Sequence, residues 1–171
     1  MATDPSELFI VIAQMSVAFA GFGSLASRLG QQHGGDDATV DATRLNLMLF
    51  SSLSSTLLGI LPATLVALGL PSRLSIQVSA AAAVVGILIY SATGVRRAVS
   101  LRRSPGFSRG GVLANIGCTL LAFFAFVSCA VVPGDRLDGA YLLGLVGLLG
   151  SSVIMFSRVI ISMLRPHNIR A

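Results

Sequence analysis

RRAVSLRRSPGFSRGG, residues 96–111, holds five of the twelve arginines in a chain of 171 residues. On either side, 74–95 and 111–133 contain no charged residue at all. Charge confined to a gap between two charge-free runs is the mark of a loop between membrane spans. The pattern repeats along the chain: 8–27 and 45–70 are also charge-free, and 139–164 contains only Arg158. A hydrocarbon core of about 30 Å takes about 20 apolar residues of helix, and all five runs are that long.

Composition agrees. The chain is 54% hydrophobic and 11% charged, against about 25% charged in soluble domains. A single domain of this length cannot hide that much apolar surface inside itself, so the second solvent is lipid. Backbone groups in lipid must bond within their own segment, and the runs lack the alternation of barrel strands. The reading is an all-α, polytopic membrane bundle forming one domain over 1–171. It has five transmembrane helices, or four if the first run lies in the interface.

The arginine-rich stretch also sets an expected direction. Placing 96–110 in the cytoplasm puts 28–44 and the C-terminal tail there too. That side then holds Arg28, Arg44, Arg96, Arg97, Arg102, Arg103, Arg109, Arg165 and Arg170, and the other only Arg73 and Arg136. Positive residues in short loops stay cytoplasmic, so the N-terminus is expected outside and the C-terminus inside. The opening residues MATDPSE are acidic and lack the basic start of a secretory signal, so the first run reads as a retained span. The stretch VAFAGFGSLASRLG, residues 17–30, resembles segments of small bacterial membrane proteins, and a bacterial inner membrane is the expected location.

Net charge of +5 would suit nucleic acid on a polar surface. Here it is confined to loops without an aromatic platform for bases, so no nucleic-acid partner is expected. Arg96, Arg97, Arg102, Arg103 and Arg109 are instead candidates for contact with anionic lipid headgroups, at about 1 kcal/mol each.

Four-residue ridges of small side chains predict close helix packing. They are Ser16–Ala20–Ser24, Ser51–Ser55–Gly59–Ala63–Ala67 and Ala82–Gly86–Tyr90–Gly94, the last broken by its tyrosine, with Gly144, Gly147 and Gly150 at threes. So many small faces predict self-association, or packing against a larger membrane partner.

Polar residues inside a span are costly and mark function. Glu7, Gln14, Gly21 and Arg28 recur every seven residues and drift by only about 20° per step, making one stripe. Pro62 interrupts the second run just after SSLSST, residues 51–56. Proline removes a backbone donor, and nearby hydroxyls can bond the carbonyl it frees. Gln14, Ser51, Ser52, Ser55, Pro62 and Asn115 are therefore the candidates to line a path. Arg158, near the end of its run, is expected to snorkel to the interface.

Cofactor chemistry finds little support. The chain has no lysine, which excludes a Schiff base. His33 and His167 both lie outside the spans, so haem or zinc held by histidine in the membrane is not expected. The cluster of His33, Asp36, Asp37 and Asp41 in GQQHGGDDATVD, residues 30–41, matches no metal loop. Asp37 or Asp41 is expected to cap an extension of the second helix. Cys118 and Cys129 stand about 16 Å apart along one helix and cannot bridge. No nucleophile elbow, phosphate loop or zincin helix is present. The expectation is a non-enzymatic homo-oligomeric channel or small transporter without cofactors, the alternative being a non-catalytic module packed on a larger membrane protein.

Overall fold

A computed structural model of the chain describes residues 5–30, 38–101, 109–131 and 137–164, with side chains at 7–23, 25, 45–92, 110–131 and 137–161. These residues form five helices and no strand: α1 (Pro5–Gly30), α2 (Ala38–Ala67), α3 (Ser72–Leu101), α4 (Arg109–Val131) and α5 (Leu137–Leu164). Four are long and apolar enough to cross a membrane, over Leu45–Ala67, Ser72–Ala92, Gly110–Val131 and Leu137–Ile161. The apolar stretch of α1, Glu7–Gly23, is shorter.

The helices run up and down in chain order. α2, α3, α4 and α5 pack as a ring, and α1 lies in the outer groove between α2 and α5 without touching α3 or α4. Arg28, Arg44, Arg96, Arg97 and Arg109, in the ends of α1 to α4, therefore fall at the same end as the last turn of α5.

Element boundaries follow local chemistry. α2 starts at Ala38, seven residues before its apolar run, which is the expected extension. Asp41 lies inside its first turn rather than at its cap, and Asp37, like His33 and Asp36, lies outside the described residues. α2 stops at Ala67, three residues short of the expected 70, because a glycine closes it. Gly69 takes φ +93°, its N–H bonds Val66 O at 2.9 Å, and the Leu70 N–H bonds Leu65 O at 3.1 Å. This is the Schellman arrangement, which needs a left-handed residue after the last turn. Pro71 then blocks any continuation and opens α3, its carbonyl accepting from Ser75 N at 3.0 Å.

Lipid gives two helices no hydrophobic reason to meet, so close backbone approach must hold them. On α2, a Cβ at Gly59 would stand 2.9 Å from Phe9 O and 3.1 Å from Ala13 Cβ, so glycine lets α1 lie down on α2. On α5, Gly144 receives the Phe126 ring, and a Cβ at Gly147 would stand 3.0 Å from Cys118 O and Ala122 Cβ. At the last turns of α5 the Arg158 side chain lies over Gly111, at the start of the α4 span.

The result differs from a soluble bundle in its outer surface. Less than half of each spanning segment is buried, 22% to 44%. Leu57, Phe124 and Leu113 face outward, while eight serines are buried: Ser16, Ser51, Ser52, Ser55, Ser75, Ser79, Ser151 and Ser152.

The glycine contacts generate a paired prediction. Gly59→Ala forces α1 off α2 and costs about 1–3 kcal/mol. Gly117→Ala, whose Cβ meets nothing within 4 Å, is neutral or gains up to about 1 kcal/mol from helix propensity. Reversible unfolding in mixed micelles separates the two.

Candidate functional site

Pro62 is buried near the C-terminal end of α2 and has no N–H to give the carbonyl of Leu58, four residues back. The Tyr141 hydroxyl of α5 donates to that carbonyl at 2.6 Å. The freed acceptor was expected to pair with the nearby serines. The serines are one turn too far toward the N-terminus, and the tyrosine reaches it from the facing helix. One turn on, Ser75 of α3 donates to Pro62 O at 2.5 Å. Tyr141 is fully buried. Its ring meets Phe9 of α1 at 5.2 Å and Phe126 of α4 at 5.3 Å, both edge to face. Ser79 of α3 stands beside its hydroxyl. One side chain thus touches all four other helices.

Nearer the arginine-rich end, hydroxyls tie α2, α5 and α4 together. Ser51 and Ser152 share a hydrogen bond of 2.7 Å, and each also reaches a carbonyl of its own helix. Ser151 donates to Asn115 Oδ1 of α4. Asn115, a sequence candidate, is therefore half-buried and engaged between helices. Ser52 and Ser55 are buried, and their hydroxyls have no partner among the described residues. Thr56 spans to α1, donating to Ser52 O at 3.0 Å and Ala13 O at 3.4 Å.

Gln14 lies elsewhere. It is exposed on the outer face of α1, as are Glu7 and Gly21 of the same stripe. The contact between Thr56 and Ala13 places Gln14 opposite the middle of the α2 span. The structure therefore brings Ser51, Ser52, Ser55, Pro62 and Asn115 into the bundle interior and leaves Gln14 on its outside. Of the headgroup candidates, Arg96 and Arg97 lie in the last turns of α3 and Arg109 in the first of α4, with side chains outside the described set. Arg102 and Arg103 lie outside the described residues altogether. Both thiols are free; Cys129 is buried, donating to Leu137 O at 3.4 Å.

A cavity of about 170 Å³ lies between α2 and α3, with Thr119 of α4 and Leu148 and Ser151 of α5 along its back. Phe50 and Tyr90, stacked at 4.5 Å and 8°, bound its arginine-rich end. The α3 ridge Ala82–Gly86–Tyr90, expected to bring helices into contact, lines this hollow instead. A Cβ at Gly86 would meet nothing within 4 Å. Small residues allow close approach only where the facing helix fills the groove, and here it does not.

Sequence reasoning missed Tyr141, Ser151, Ser152 and the cavity. The pair Ser151–Ser152 carried a usable signal, two hydroxyls inside an apolar run just like Ser51–Ser52. These features define a multi-pass membrane protein with a hydroxyl-bonded interior and an apolar exterior. No protein-family model, no curated protein and no solved structure matches the chain.

The pairing of Tyr141 with Pro62 is testable by a double-mutant cycle. Tyr141→Phe strands a buried carbonyl and lowers stability by about 1–3 kcal/mol. In a Pro62→Ala background, where residue 62 supplies its own N–H to Leu58 O, the same change costs much less. Equal costs in the two backgrounds contradict the assignment.

Proposed function

We propose that the chain is one subunit of a homo-oligomeric channel or small transporter, with a path between copies lined by the outward face of α1. Gln14 carries this reading. It is a primary amide at mid-depth, exposed among Ile10, Val11, Met15 and Val17. An amide left in hydrocarbon without hydrogen bonds costs several kcal/mol. The cost vanishes if the face meets water or another amide. A glutamine amide both donates and accepts, so it is complementary to Gln14 of a second copy, and a closed ring satisfies every subunit alike. Glu7 and Gly21 on the same face extend the polar strip along the helix, and glycine leaves room for a solute or for a neighbouring backbone. The interior serines hold each subunit together and keep its shape as copies assemble.

In this reading α1, 26 residues long and about 39 Å from end to end, crosses as a fifth span. The arginine-rich end faces the cytoplasm of a bacterial cell, with nine loop and tail arginines against two. Those arginines hold anionic headgroups and fix the depth of the bundle. The cargo is a small ion or hydrophilic solute.

Native mass spectrometry of the protein in lipid nanodiscs tests this, followed by conductance in planar bilayers bathed in KCl. A ring of fixed copy number is expected, with single-channel steps that Gln14→Leu abolishes or changes at least several-fold. A single chain as the only species overturns the proposal. Co-purification with a different membrane protein in fixed ratio, in place of the ring, transfers the α1 face to that partner.

A further inference from the structure

We infer that the cavity between α2 and α3 is a lateral binding site for hydrocarbon, taking the end of a lipid acyl chain from the bilayer. Its position gives the first argument. Leu57, Ala82, Thr119 and Leu148 of the lining lie close to the middles of their spans, so the cavity sits at the depth of acyl-chain ends. Its mouth gives the second. The exposed lining residues, Phe50, Leu57 and Ala82, all belong to α2 and α3, while Leu58, Ile87 and Leu148 behind them are buried. The opening therefore faces sideways, between α2 and α3. This is the side of α2 away from α1: Phe50, Ser54 and Leu57 follow one helical stripe, and Thr56 and Gly59 meet α1 on another.

The walls select the occupant. They are overwhelmingly apolar, and three of their five hydroxyls are turned to protein partners. Ser51 is bonded to Ser152, Ser151 to Asn115, and Thr119 to the Asn115 carbonyl at 2.9 Å. Water needs two or more polar partners to settle in a cavity, and the exposed walls are almost wholly apolar. An apolar cavity of about 150 Å³ stays dry and accepts benzene, so one of about 170 Å³ accepts a short stretch of alkyl chain. Gly86 gives an independent argument. Glycine inside a helix is unfavourable by roughly 0.5–1 kcal/mol against alanine, and no neighbour within 4 Å requires it here. What glycine does at this position is keep the cavity open.

The test places the full-length protein in nanodiscs of phosphatidylcholine carrying a diazirine near the end of one acyl chain. After illumination, labelled residues are mapped by peptide mass spectrometry. The expected result is label on Leu58, Ile87 and Leu148, buried positions that lipid reaches only through the cavity. Label should also fall on outward residues such as Leu53, Leu88 and Leu113. Gly86→Leu, and independently Ser54→Leu, fill the space and reduce the buried label to background while leaving the outward label unchanged. Label confined to outward residues in the unmodified protein overturns the inference without recourse to any variant. So does buried label that persists in a folded filling variant.

Discussion

The bond from the Tyr141 hydroxyl to the Leu58 carbonyl, 2.6 Å long, is the contact on which the rest of the arrangement depends. Pro62 leaves that carbonyl without its helical partner, and a bilayer offers no water to replace it. The acceptor must be met from within the protein. Meeting it from α5 fixes how α5 sits against α2. The same ring then receives Phe9 and Phe126 edge to face, which positions α1 and α4, and Ser79 brings in α3. A helix defect that would be a liability alone becomes the point at which five helices are registered.

The remaining packing follows from the absence of a hydrophobic drive between helices in lipid. Glycines at 59 and 147 let backbones approach, Gly144 admits the Phe126 ring, and dispersion does the rest. Serines share the interior with an apolar cluster that includes Leu58, Leu145 and Leu148. Serine is small enough for close approach and bonds back to its own helix, as Ser16 does to Ile12 O and Ser79 to Ser75 O. It therefore enters a dry core at low cost. The hydroxyls of Ser52 and Ser55, buried without a partner among the described residues, mark the place where this economy is incomplete, beside the groove that receives α1.

Much of the fold was legible in the sequence because charge-free runs of span length have one physical solution in lipid. The helix ends were less so: the stop at Ala67 depends on Gly69 adopting a positive φ, which GLPS hints at but does not require. The partner of the Leu58 carbonyl was not legible, since it lies 83 residues away on another helix. Nor was the outcome of each small-residue ridge. The α5 glycines find α4 pressed against them, whereas Gly86 finds empty space, and only the facing helix decides. Heptad spacing put Glu7, Gln14 and Gly21 on one face. It could not say whether that face turns inward or outward, because this depends on how α1 is seated.

That seating gives the bundle two unlike sides. One presents the polar strip of α1, and the other presents the apolar mouth between α2 and α3. The central claim is that the first side lines a water-filled path between subunits, while the second meets lipid. The most direct measurement is the reactivity of single cysteines toward a water-soluble thiol reagent in intact vesicles, with Cys118 and Cys129 replaced. Gln14→Cys and Leu57→Cys lie at similar depth, and both positions are exposed on the bundle. Water along α1 predicts fast modification at 14 and none at 57. Equal protection at the two positions would show a dry α1 face and contradict the account.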